Sequence, residues 1–193
     1  PSDPTSITAE IKNSPSRVVF EKRDPKYNYL IPDGTTTFKV YQCNKNTECH
    51  PSEYSTDEER LAAGMTLMNF TLRSEINGQD EDDGVEVYRY NKLNATGITE
   101  LHPHNGVLVL RYLPSDTNYK YVLLEVVAPV NYILPTGLDA EIPFTVVSTT
   151  TSVEQVDVPN SPTALVIRKY ADVDGDNQAD DGNLLGGAKF KVY

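Results

Sequence analysis

Apolar and polar residues alternate with a period of two along most of this chain, the pattern of strands that bury one face. SITAEIKN places Ile7, Ala9, Ile11 and Asn13 on one side, with Thr8, Glu10 and Lys12 opposite. RVVFEK (17–22), GVEVYRY (84–90), GVLVLRYL (106–113), YVLLEVV (121–127), IPFTVV (142–147) and VEQVDV (153–158) read as further strands, with TALVIRK (163–169) and AKFKVY (188–193) near the end. Turn signals separate them: Pro-Asp-Gly at 32–34, Asn-Gly at 105–106 and Pro-Thr-Gly at 135–137. One helix is predicted in STDEERLAAG (55–64), with Ser55 as N-cap, Glu58 closing a capping box and Gly64 as the stop. Many short strands with so little helix predict an all-β sandwich.

A second pattern overlies the first. NSPSRVVFEKR (13–23) returns as NSPTALVIRKY (160–170), and GTTTFKVY (34–41) returns as GGAKFKVY (186–193). A unit repeated head to tail is a tandem array of modules. The expected organisation is therefore the last strand of one module at 1–13, a complete domain at 14–160, and the opening strands of a third at 161–193.

Following the alternation through each strand exposes three polar residues on apolar faces. Lys22 shares its side of the first strand with Val18 and Phe20, as Lys169 does with Leu165 and Ile167. Glu125 lines up with Tyr121, Leu123 and Val127, and Asn160 with Val156 and Val158. A buried lone charge is costly, so such groups neutralise, pair or react. Burial lowers an amine's pKa and raises a carboxyl's. A neutral Lys22 amine is a nucleophile, and a protonated Glu125 could polarise the Asn160 carboxamide and relay protons while ammonia leaves. The product would be a Lys–Asn isopeptide bond between the first and last strands. The competing reading makes Lys22 and Asn160 strand-end residues that reach back to water, with Glu125 a satisfied core carboxyl.

These residues resemble the collagen-adhesin B-type (Cna-B) modules of Gram-positive pilins and surface adhesins. Such modules open with a strand ending in Lys, continue with a Gly-x-x-Phe-x-Val/Leu-Tyr strand, carry an E-box of the form Tyr-x-Leu-x-Glu-x-x-Ala-Pro-x-x-Tyr, and close on an Asn. Here the E-box matches YVLLEVVAPVNY (121–132), with Tyr121, Leu123, Glu125, Ala128, Pro129 and Tyr132 in place. The resemblance covers about 14–160. It implies an Ig-like sandwich, a spontaneous Lys22–Asn160 bond promoted by Glu125, and a place in a cell-wall fibre outside the cell, beside other pilin subunits or modules in tandem. The same reasoning assigns Asn13 and Lys169 to the crosslinks of the neighbouring modules. Two departures stand out: Asn131 replaces the usual Gly before the last E-box Tyr, and 42–105 holds a helix-bearing insertion. ILPTG (133–137) lacks one residue of a sorting signal and reads as a turn.

Composition narrows the partners. A net charge of −11 argues against nucleic acid and anionic membranes, both of which call for clustered Lys and Arg. No apolar run approaches ~18 residues, so no membrane insertion is expected in this stretch. Export and anchoring signals are expected outside it. Cys43 and Cys49 can close a small disulfide loop in an oxidising compartment, with free thiols the alternative. No cofactor is required. Calcium is one candidate, because Asp172, Asp174, Asp176, Gln178 and Asp180 alternate as oxygen ligands do in calcium loops; the other reading is a solvated acidic loop. His102 and His104 lack a third ligand for a metal. No Ser-His-Asp, Cys-His or phosphate-loop arrangement is present, so no turnover enzyme is expected. The alternative to a structural module is an adhesin module whose insertion grips a host extracellular protein or glycan.

Overall fold

The computed structural model describes residues 16–32, 34–74, 86–91, 96–146 and 154–163. Apart from Thr163, all of these fall in the unit that ends at Pro162. Among the described residues nine strands run in chain order: β1 (Arg17–Arg23), β2 (Thr37–Asn44), β3 (Met65–Leu67), β4 (Phe70–Ser74), β5 (Glu86–Tyr90), β6 (Val107–Arg111), β7 (Tyr119–Val127), β8 (Glu141–Phe144) and β9 (Glu154–Pro159), with one α-helix, α1 (Asp57–Ala62). They form two sheets, ordered β4-β5-β6-β1-β9 and β3-β2-β7-β8. The molecule is the all-β sandwich that the alternation predicts.

The core between the sheets is built from the inward residues of both. Val18 and Phe20 from β1, Val158 from β9 and Leu108 and Leu110 from β6 meet Phe38, Val40, Tyr121, Leu123 and Phe144 from the other sheet. Phe144 lies edge-on to Phe20 at 5.0 Å between ring centroids. The strand β7 is apolar on both faces because both are covered. Its outward Val122 and Leu124 pack with Tyr41, Cys43, Cys49 and Met65.

That second layer comes from the 42–105 insertion, which is woven into the sandwich and extends both of its sheets. β3 adds to one sheet beside β2, and β4 and β5 form the far edge of the other. The helix begins one residue later than the expected Ser55/Glu58 box. Thr56 is the N-cap, accepting from the Glu59 N–H, and the Glu59 carboxylate accepts from the Thr56 N–H at 3.0 Å. STDEE contains both frames; the observed one buries Arg60, which donates to the Pro51 carbonyl (2.8 Å) and to Asp57 (2.8 Å). Gly64, with φ +85°, ends the helix as expected.

Two further features set the geometry of one end of the sandwich. β1 pairs antiparallel with β6 but parallel with β9, so the C-terminal ends of the first and last strands lie side by side. Asn105 and Gly106 both have positive φ (51° and 82°), as a tight hairpin turn into β6 requires. Gly106 is needed there on a second count. A Cβ at this position would stand 2.9 Å from the Ile31 carbonyl, while the Gly106 carbonyl accepts from the Lys22 N–H at 2.7 Å. One expectation fails at the opposite end of a face: Val127 is exposed. The β2–β7 register shifts between Thr37 and Phe38, opposite Val127 and Glu125, and the inward alternation ends at Glu125.

Candidate functional site

The parallel β1–β9 pair brings Lys22 opposite Val158, and Asn160 follows just past the strand end, where its N–H donates to the Arg23 carbonyl at 3.3 Å. Glu125 enters from β7 in the other sheet, where it is paired with Phe38. The three side chains meet inside the sandwich, with residue exposures of 1% for Lys22, 3% for Glu125 and 1% for Asn160. None of them reaches back to solvent.

Their contacts form a closed triangle. The Lys22 Nζ lies 2.6 Å from Glu125 Oε2 and in direct contact with the Asn160 carboxamide oxygen. The Asn160 Nδ2 donates to Glu125 Oε1 at 2.8 Å. A second bond from Nδ2 reaches the main-chain carbonyl of Ile133 at 3.2 Å. The amine also sits 5.4 Å from the centre of the Phe38 ring. Burial pushes the Lys22 amine below its ordinary pKa, against the pull of the Glu125 carboxylate. Burial likewise pushes the Glu125 carboxyl above its ordinary value, against its bonds to Lys22 and Asn160. Both shifts favour the neutral amine and the neutral acid over the ion pair.

This arrangement has the parts of an acyl transfer: a desolvated amine against a carboxamide, and a carboxyl touching both the nucleophile and the leaving nitrogen. The turn after β7 leads the chain back to this site. Pro129, Val130, Asn131 and Tyr132 form a turn closed by the Tyr132 N–H donating to the Pro129 carbonyl at 3.0 Å. Asn131 sits at φ +68° in the left-handed region. Glycine enters that region without strain, and asparagine tolerates it better than other side-chain-bearing residues. Asn131 therefore keeps a turn that a glycine would also make.

Cys43 and Cys49 form a disulfide, with Cα atoms 5.9 Å apart. It lies in the outer apolar layer over β7, away from the triangle. Asn13, Lys169, Asp172, Asp174, Asp176, Gln178 and Asp180 lie outside the described residues, as do 1–13 and 164–193. Among the described residues no group of three His, Cys, Asp or Glu side chains is placed to hold a metal. The His102 Nδ1 lies 3.0 Å from the Thr36 carbonyl, and His104 is 3.8 Å from Glu86. Sequence alternation missed Asp24 and the Ile133 carbonyl. Asp24 carries a turn signal in Asp24-Pro25, but nothing in the sequence aims its carboxylate at Tyr132. A main-chain carbonyl has no signature in sequence at all.

No protein-family model matches the chain, and no curated protein matches it. Among solved structures it is similar to the shaft pilin SpaA of Lactobacillus rhamnosus GG, at 15% identity and a TM-score of 0.46 over 81% of this chain. It is also similar to GBS52, the minor pilin of Streptococcus agalactiae (14% identity, TM-score 0.46, 81% of this chain), and to the group B streptococcus pilus 2b backbone protein (15%, 0.42, 76%). The chain spans 50%, 49% and 41% of those three chains' lengths.

Proposed function

We propose that this chain is a structural module of a Gram-positive pilus or cell-wall fibre, locked by an intramolecular isopeptide bond between Lys22 and Asn160. The observation that carries the reading is the buried triangle of Lys22, Glu125 and Asn160. The neutral Lys22 amine attacks Cγ of Asn160, with the Glu125 carboxyl held against both the attacking and the leaving nitrogen. As the tetrahedral intermediate collapses, the Cγ–Nδ2 bond breaks. Nδ2 takes the proton released from Nζ through the Glu125 carboxyl and departs as ammonia. Glu125 ends as it began, and the bond forms once per chain without turnover.

The position of the bond supports a mechanical role. Lys22 and Asn160 are 138 residues apart in sequence, at the adjacent ends of the first and last strands. Tension entering through β1 would cross the new bond directly to Asn160 and leave along the following chain. Everything between them would lie outside the load path. Repetition of the Asn-Ser-Pro junction with its inward lysine extends the scheme to the neighbours, with Asn13 and Lys169 serving the adjoining modules. Such a subunit works outside the cell beside other copies or modules of its kind.

Intact mass tests the bond. The purified chain is expected one ammonia lighter than its sequence, and Glu125→Ala is expected at full sequence mass. A wild-type chain at full mass, or a Glu125→Ala chain with the deficit, would overturn the mechanism.

A further inference from the structure

One buried carboxylate takes no part in the triangle. Asp24 is 1% exposed and lies just beyond Lys22 on the same strand end. Its Oδ1 accepts from the Lys26 N–H at 2.8 Å and the Tyr27 N–H at 2.9 Å, a local turn that the sequence anticipates. Its Oδ2 does something else: it accepts the Tyr132 hydroxyl at 3.0 Å. That bond spans 108 residues, tying the end of β1 to the turn that follows β7. The Tyr29 hydroxyl, 3.2 Å from that of Tyr132, completes a small polar cluster. Burial would raise the Asp24 pKa, but the two backbone N–H groups and the tyrosine hydroxyls outweigh it and hold the carboxyl below its ordinary value.

The residue after Tyr132 touches the reacting group on two sides. The Ile133 carbonyl accepts from the Asn160 Nδ2 at 3.2 Å, and the Ile133 N–H donates to the Ser161 carbonyl at 2.9 Å. The peptide around Ile133 thus grips the Asn160 segment by its side chain and by its main chain. The position of that peptide follows from the turn that precedes it and from the Tyr132–Pro162 bridge. A long-range side-chain anchor of that turn is the Tyr132–Asp24 bond, supported by Tyr29.

We propose that Asp24 and Tyr132 are positioning residues for the crosslink, holding the Ile133 carbonyl against the nitrogen that leaves as ammonia. This deepens the isopeptide reading and rests on it. The carboxamide nitrogen carries little positive charge in the ground state and gains it as the Cγ–Nδ2 bond breaks. An acceptor already in place at Nδ2 therefore strengthens its bond in the transition state, which is the kind of contact that raises a rate. The same contact fixes the carboxamide rotamer, presenting its oxygen rather than its nitrogen to Lys22. Asp24 and Tyr132 touch neither reacting atom; they act through the turn.

The test follows bond formation in the full chain made by pulsed cell-free synthesis, quenched into denaturant at intervals and weighed by intact mass. Tyr132→Phe removes the hydroxyl alone. Asp24→Asn keeps the Oδ1 acceptor for Lys26 and Tyr27 while removing the acceptor for Tyr132. Each is expected to slow ammonia loss about 10-fold, the worth of one positioning hydrogen bond. The double variant is expected to be no slower than either single one, because both remove the hydrogen bond that the Tyr132 hydroxyl donates. Folded fraction is measured for each substitution in an Asn160→Ala background, which cannot crosslink, and is expected to stay unchanged. Wild-type rates in both variants, additive slowing, or a loss of folded fraction in proportion to the rate would overturn the positioning role while leaving the crosslink intact. A wild-type chain that never loses ammonia would overturn both.

Discussion

Replacing Asn160 by Ala tests the proposed covalent bond apart from the buried Lys22–Glu125 contact beside it. The substitution removes the electrophile but leaves the Lys22–Glu125 contact at 2.6 Å, so neither group loses that partner. Loop closure then sets the loss of stability. Opening a loop of 138 residues restores conformational freedom to the unfolded chain worth about 5 kcal/mol by the loop-closure relation used for disulfides. For a domain of this size each kcal/mol moves the midpoint by roughly 2–4 °C, so Tm is expected to fall by about 10–20 °C. Thermal unfolding followed by circular dichroism, with the disulfide intact in both proteins, reads the difference. Denaturing electrophoresis supplies an independent check. The wild-type chain remains a closed loop when unfolded and should migrate ahead of the variant. A Tm difference under about 5 °C, or equal mobility, would refute the argument, because it would mean the unfolded chain is unconstrained between 22 and 160.

Reducing Cys43–Cys49 opens a loop with a sequence separation of 6 and should cost only about 2 kcal/mol; a calorimetric scan with reductant is expected to show that modest loss with the ammonia deficit unchanged. At Asn131, held at φ +68°, substitution by Gly should leave Tm within a few degrees, whereas Val should lower stability by about 1–2 kcal/mol, read by chemical denaturation. The pKa of His50 is raised above its ordinary value chiefly by its bond to Glu141 at 3.0 Å. The stabilisation is therefore fully present below pH 6.5 and is lost as pH rises through the raised folded value. An NMR titration should find that raised pKa, Glu141→Gln should return it towards 6.5, and protection of the Ser52 N–H, which donates to Glu141 at 2.8 Å, should weaken on the alkaline side.

Much of the fold was legible because the period of two is a local property. Val18, Phe20 and Lys22 face one way in any regular strand, and each is buried here. The Asn105-Gly106 hairpin and the Gly64 stop follow from residues that relieve strain at positive φ. Other features depend on partners far away. Both frames of the capping box were equally good in sequence, and packing of Arg60 favours the later one. Val127 belongs to the inward set by alternation, yet a register shift against β2 ends that face at Glu125. β3 and β4 were not anticipated, since MTL and FTLRS are short and take their place as strands from the sheets they extend.

The candidate site divides along the same line. Alternation and the E-box pattern were sufficient to place a lysine, a glutamate and an asparagine on inward faces, because side-chain direction within a strand needs no knowledge of the neighbour. That they share one pocket depends on the parallel pairing of β1 with β9 and on β7 crossing from the opposite sheet. Strand order is settled by the packing of the whole sandwich, and no local pattern encodes it. The anchor at Asp24 and Tyr132 and the carbonyl of Ile133 belong wholly to the tertiary structure. Their role comes from an approach between segments 108 residues apart, and a main-chain oxygen is chemically the same at every position until the fold directs it.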